Sequence, residues 1–109
     1  MQLPLQISFR HMEHSEEIEA IVREKASKLD TFAGDIMGCR VVVGPAAGHH
    51  RNGNPYEVRI DLTVPGEEIV VTREPGERVD ARDIHVALRD SFDSARRQLE
   101  EYVRRRRSA

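Results

Sequence analysis

Apolar and polar positions alternate at the start of the chain. In "LQISF" (5–9), Leu5, Ile7 and Phe9 fall on one side and Gln6 and Ser8 on the other. A period of two predicts a half-buried strand. The period then changes. Ile18, Ile21, Val22, Ala26 and Leu29 recur at three and four, which predicts an amphipathic helix of about four turns. Ser15 stands where an N-cap is needed, and Glu16 and Glu17 suit the positive end of the helix dipole. Gly34 closes the region. "IMGCRVVVG" (36–44) is rich in β-branched residues and reads as a second strand. "GPAAGHHRNGNP" (44–55) reads as a long loop.

The clearest alternation is "YEVRIDLTV" (56–64). Tyr56, Val58, Ile60, Leu62 and Val64 face a core, while Glu57, Arg59, Asp61 and Thr63 face away. Pro65 and Gly66 fit the centre of a tight turn, with glycine supplying positive φ. "EEIVVTR" (67–73) returns as a fourth strand, completing a hairpin. A second helix follows the "EPGERV" loop. Asp80 can cap it, and Asp83 holds the capping-box position three residues on. Its stripe is Ile84, Leu88, Phe92, Ala95, Leu99 and Tyr102, stepping by three and four. The order is β-α-β-β-β-α. A sheet with one polar face and two amphipathic helices predicts an α+β fold with both helices on the other face.

Length and composition narrow this further. A chain of 109 residues fits one domain over 1–109, with a basic tail at 104–109 that can fray. With no Trp, three Phe and two Tyr, the core must be mostly Val, Ile, Leu and Ala. Cys39 is the single cysteine, so no intramolecular disulfide forms, which points to a reducing compartment. The opening "MQLPLQISFR" has no long apolar run, so no secretory signal or membrane span is expected and the location reads as cytoplasmic.

Charge changes the picture more. The formal net charge is −2, but residues 96–109 carry six basic and two acidic side chains. A basic pole on an acidic chain suits a polyanionic partner approached in one orientation. On a helical wheel Arg82, Arg89, Arg96 and Arg107 fall within a sector of ~40°, with Arg97 and Arg104 roughly 80° further round. The competing reading is a solvated face, because Arg89–Asp93–Arg97 and Arg96–Glu100–Arg104 can form chains of i,i+4 ion pairs. Arg104 to Arg107 have only Glu100 and Glu101 within local reach. Four adjacent guanidinium groups repel one another, and phosphates would relieve that repulsion with forked hydrogen bonds. The first helix adds Arg23, Lys25 and Lys28. Aromatic interleaving is nearly absent, which argues against a base-stacking platform and leaves shape-and-backbone recognition of folded RNA.

Catalytic chemistry finds no convergent set. His49 and His50 with Cys39 or His85 match no closed zinc spacing. There is no G-x-x-x-x-G-K-[ST] phosphate loop and no nucleophile signature. The expectation is a protein that is not an enzyme, with no cofactor, no metal and no small-molecule substrate. Two other readings stay open. One is a protein-interaction module docking through the exposed sheet face. The other is a small metal-dependent enzyme centred on His49 and His50.

Several stretches taken in order resemble the ribosome hibernation promoting factor / ribosome-associated inhibitor family, also described as sigma-factor modulation proteins. They are "VREKASKLDTF", "YEVRIDLTVPG" and "DIHVALRDSFDSARRQL". The resemblance implies helices on one sheet face, as in double-stranded-RNA-binding domains. It implies binding to the small ribosomal subunit and its 16S rRNA, in the channel for mRNA and tRNA, under stress or in stationary phase. By position it carries RNA contact onto Lys25, Lys28 and Arg97. Arg23, Arg82, Arg89, Arg96 and Arg104 join them from the faces they share, and His49, His50 and Arg51 are secondary candidates in the loop. The chain departs from the family where "DIHVAL" places His85 at an aromatic position, and where Asp93-Ser94 replaces a lysine. Long relatives add a C-terminal dimerisation domain, and none is read in this chain.

Overall fold

The computed structural model describes residues 4–45, 56–72 and 84–108. The alternating segments become strands β1 (Leu5–Phe9), β2 (Gly38–Pro45), β3 (Tyr56–Val64) and β4 (Glu67–Thr72). The segments of period three to four become helices α1 (Glu16–Phe32) and α2 (Ile84–Ser108). The expected order β-α-β-β-β-α is the observed one. Strand β2 starts two residues later than its composition suggests. Ile36 is buried and Met37 is 60% exposed, and both precede the strand. The expected Asp80 cap lies outside the described residues.

Local chemistry accounts for the ends of α1. The Ser15 side chain accepts from the Ile18 backbone N–H at 3.2 Å, with Ser15 itself in extended conformation. Glu16, Glu17 and Glu19 occupy the first turn, where their charge complements the helix dipole. The chain leaves the helix at Ala33, whose N–H still donates to the Leu29 carbonyl at 3.0 Å.

The sheet has the spatial order β1-β2-β3-β4. Strands β1 and β2 are parallel, as a strand–helix–strand crossover requires, and the other neighbours are antiparallel. The register pairs Ile7 with Val41, Val41 with Ile60, and Ile60 with Val71, so one row of apolar side chains crosses all four strands. Helix α1 packs on β1, and α2 packs on β3 and β4. Between the layers lie Val22, Ala26 and Leu29 of α1, Leu88, Phe92, Ala95 and Leu99 of α2, and the inward residues of the strands. Ile60, Leu62, Leu88 and Leu99 are fully enclosed. Each such side chain contributes about 1.5–3 kcal/mol by leaving water. Among the described residues no helix is long and apolar enough to cross a membrane.

Two glycines are fixed by geometry. Gly66 has φ of 87° and follows Pro65 between Val64 and Glu67, the arrangement of a type II turn. At Gly44 a Cβ would stand 2.2 Å from the Arg10 carbonyl oxygen, so only hydrogen fits. This crossing sits where the Arg10 N–H donates to the Val43 carbonyl at 2.9 Å, just beyond the last β1–β2 pair.

Candidate nucleic-acid interface

Helix α1 buries Ile18, Val22, Ala26 and Leu29. At 100° per residue, positions 17, 21, 25, 28 and 32 run down one flank of that stripe, and 19, 23 and 30 down the other. Two contacts show that the first flank faces α2. Glu17 Oε2 lies 3.7 Å from His85 Nε2, and the Arg96 guanidinium lies over the Phe32 ring, 5.4 Å from its centroid. Position 17 therefore meets 85 and position 32 meets 96, so the two helices run side by side in the same direction. Their shared seam carries Lys25 and Lys28 from α1.

On α2 the flank toward that seam holds His85, Arg89, Arg96, Glu100, Val103 and Arg107, one or two turns apart. Arg97 and Arg104 lie next round the helix, on its outward side. At the C-terminal end of the seam, Phe32, Glu100, Val103, Arg104 and Arg107 line an open depression of about 390 Å³. The seam thus carries Lys25, Lys28, Arg89, Arg96 and Arg107, with Arg97 and Arg104 bordering it on the outward side of α2.

The ion pairs decide how much of this charge is already spent. Of the expected chains, Arg96–Glu100 forms at 3.3 Å. Arg89 turns to Asp90 instead, at 3.5 Å, rather than to Asp93. Lys25, Lys28, Arg97 and Arg107 make no ion pair or side-chain hydrogen bond among the described residues. Arg97 and Arg107 are exposed, as is Lys28. Exposed pairs of the Arg96–Glu100 kind are worth a few tenths of a kcal/mol up to about 1 kcal/mol, so a phosphate can compete for them.

The four consecutive arginines divide between two jobs, which local sequence did not disclose. Arg105 reaches Glu67 of β4 with both terminal nitrogens, each at 3.3 Å. Arg106 donates to the Pro65 carbonyl at 3.3 Å and to the Tyr102 hydroxyl at 3.1 Å, and lies over the Tyr102 ring. The buried Tyr102 hydroxyl itself donates to the Pro65 carbonyl at 2.6 Å. These two arginines tie the end of α2 to the hairpin, with partners 38 and 41 residues away. The expectation that the run finds only Glu100 and Glu101 is corrected on this point. Arg104 and Arg107, three residues apart, line the depression at the end of the seam instead. The helix continues through the run to Ser108.

Arg23 lies apart from the seam. It sits on the flank of α1 that faces away from α2 and donates twice to Glu19 Oε2, at 2.7 and 3.0 Å. Glu19 also bonds His14 at 2.5 Å, and these two partners, His14 first, hold its carboxyl below the usual glutamate range. Arg82 and the loop residues His49, His50 and Arg51 lie outside the described residues. Phe32 and Arg107 belong to the seam although neither was among the expected site residues. For Arg107 the wheel position was the signal; for Phe32 its place one stripe over from the buried positions was.

The helix-free face of the sheet differs in character. A depression of about 400 Å³ there is lined by Arg10, Arg40 and Arg59 together with Glu57 and Asp61. Arg59 bonds Asp61 at 3.0 Å. Three arginines stand here against two carboxylates, one of which already pairs with Arg59, so this face is mixed in sign where the seam is mainly basic. Cys39 points into the core, and burial pushes its thiol up to about 12, with Asp61 adding a smaller push. Among the described residues no group of three or more His, Cys, Asp or Glu could hold a metal ion.

Comparison with known proteins gives this arrangement a context. The fold is that of the N-terminal domain of protein Y from Thermus thermophilus, with a TM-score of 0.69 and 20% identity, over 94% of this chain and 99% of that one. It is also that of a ribosomal subunit interface protein from Coxiella burnetii, with a TM-score of 0.73 and 14% identity, over 92% and 97%. No curated protein sequence matches the chain. The family description "Sigma 54 modulation protein / S30EA ribosomal protein" matches residues 5–107. The chain therefore belongs to the sigma 54 modulation protein / S30EA ribosomal protein family, whose members are ribosome-associated modulation factors.

Proposed function

We propose that the protein inhibits translation by docking its helix seam on rRNA of the small ribosomal subunit, in the channel that otherwise holds mRNA and tRNA. The observation that carries this reading is the seam itself. Two parallel helices gather seven basic side chains on one surface, and four of them have no acidic partner among the described residues. Family membership supplies the ribosome as the natural source of phosphate. The names of the structural relatives, a protein Y and a ribosomal subunit interface protein, fit the same partner.

The mechanism is electrostatic capture followed by steric exclusion. Cations on the seam replace counterions on rRNA phosphates, and their release favours binding at low salt. The two-layer fold keeps its shape because its core is closed, so its bulk keeps mRNA and the anticodon arm of tRNA from the same space. No bond is made or broken, and no cofactor takes part. Such a protein works in the cytoplasm, where ribosomes are idle under stress or in stationary phase.

The test is co-sedimentation with purified small subunits over a series of salt concentrations, with and without bound mRNA and initiator tRNA. With about six phosphates engaged, log affinity falls against log salt with a slope on the order of −4 to −5. Prior occupancy by mRNA and tRNA should abolish binding. Binding that ignores salt, or that coexists with tRNA and mRNA, would refute the proposal.

A further inference from the structure

The depression at the C-terminal end of the seam differs from the rest of the patch because it is part apolar. Phe32 keeps 41% of its surface open, more than any other Phe or Tyr among the described residues. Val103 lies beside it in the same wall. An exposed ring at this point contributes little to the core, since the last buried residue of α1 is Leu29. The ring is nonetheless held in place, because the Arg96 guanidinium lies over it and Arg96 is in turn fixed by Glu100 at 3.3 Å. Arg104 and Arg107 form the rim, one helical turn apart.

A flat apolar surface, a guanidinium plane over it and two cations on the rim match the parts of a nucleotide. A base has a π-face that stacks on an aromatic ring or on arginine, and its phosphate takes forked hydrogen bonds from arginine. A bare anion fits less well, because Glu100 puts a carboxylate in the same wall. We propose that this depression receives one unstacked RNA nucleotide, with its base against Phe32 and Val103 and its phosphate at Arg104 and Arg107. The inference rests on the RNA-binding reading of the seam and deepens it, by placing one base contact within a patch that otherwise meets phosphates. The chain's poverty in aromatic residues argues against a platform for successive bases, but a single ring suffices for a single base.

The chain has no tryptophan, so Phe32→Trp introduces a unique fluorophore at the site. The probes are a 12-nucleotide oligoadenylate and a 12-unit ribose-phosphate oligomer of the same charge without bases. Both should bind the native protein, the oligoadenylate about tenfold more tightly. Only the oligoadenylate should quench the introduced indole. Phe32→Leu should remove the tenfold difference, leave the affinity for the base-free oligomer unchanged, and melt near the native temperature. Equal affinity of the native protein for the two oligomers, or an indole that the oligoadenylate does not quench, would overturn the inference and leave the cationic seam standing. Equal weakening of both oligomers by Phe32→Leu would also overturn it, by marking the ring as structural. Failure to bind either oligomer, together with failure to co-sediment with small subunits, would overturn the RNA reading itself.

Discussion

The division of basic residues between seam and periphery makes a sharp expectation for charge reversal. Lys28→Glu combined with Arg97→Glu removes one cation from each helix at exposed positions that have no ionic partner among the described residues. Stability should change by no more than about 0.5 kcal/mol, the usual range for surface substitutions. Binding should change much more. Each phosphate contact contributes about 0.7–0.9 to the salt slope, which near 0.1 M salt corresponds to roughly five- to eightfold in affinity. Two lost contacts give about 25- to 60-fold, and the new negative charges add to that. The slope itself should become shallower by about 1.4–1.8. Arg23→Glu is the matched control, because Arg23 lies on the far flank of α1 and is paired with Glu19. It should cost less than about threefold by the same reasoning. The assay is fluorescence anisotropy of labelled protein against purified small subunits at four or five salt concentrations. The reasoning is refuted if the double variant binds like the native protein, or if Arg23→Glu weakens binding as much as the pair does.

Other expectations concern the frame that holds the seam. Gly44→Ala drives a methyl group against the Arg10 carbonyl, and the Arg10–Val43 hydrogen bond must move with it. Overpacking and one lost bond together should cost about 2–4 kcal/mol, or roughly 10–20 °C in melting temperature by calorimetry. Tyr102→Phe leaves the Pro65 carbonyl without its shortest donor and should cost about 1–2 kcal/mol in denaturant unfolding, with little effect on RNA affinity. Cys39 gives a pH dependence. Its folded pKa of about 12 lies above the ordinary 9.0, so its contribution to stability is complete below pH 9 and is lost as pH rises toward 12. Stability of Cys39→Ala should therefore fall less steeply than that of the native protein between pH 9 and 11. Parallel curves would contradict the burial argument.

The sheet and both helices were legible in the sequence because each buries one face, and burial imposes a period. The "YEVRIDLTV" alternation and the stripe from Ile84 to Tyr102 need no partner to be recognised. The Pro65-Gly66 turn was legible for a different reason, since only glycine accepts the φ it adopts. What stayed hidden was non-local. The helical wheel puts Arg89, Arg96 and Arg107 in one sector, with Arg82 outside the described residues, but nothing local reveals that Arg105 and Arg106 are taken up by Glu67 and Pro65 across the hairpin. Likewise, the first helix shows three basic residues, and only its packing beside α2 separates Lys25 and Lys28 from Arg23. The start of β2 was misplaced because Ile36 is apolar and buried without being in the ladder. Burial alone does not distinguish a strand residue from the turn that leads into it.

If the proposed function holds, the helix seam, and not the helix-free sheet face, lies against rRNA. Cleavage of rRNA by hydroxyl radicals generated from iron tethered to single introduced cysteines tests it most directly. Native Cys39 is buried and holds its proton at neutral pH, so it stays unlabelled while a surface thiol reacts. Asp93→Cys places the iron beside the seam without removing a cation, and Thr63→Cys places it on the opposite face. Strong cuts in small-subunit rRNA around the mRNA–tRNA channel are expected from position 93, and few or none there from position 63. Strong channel cuts from position 63 with silence from position 93 would contradict it.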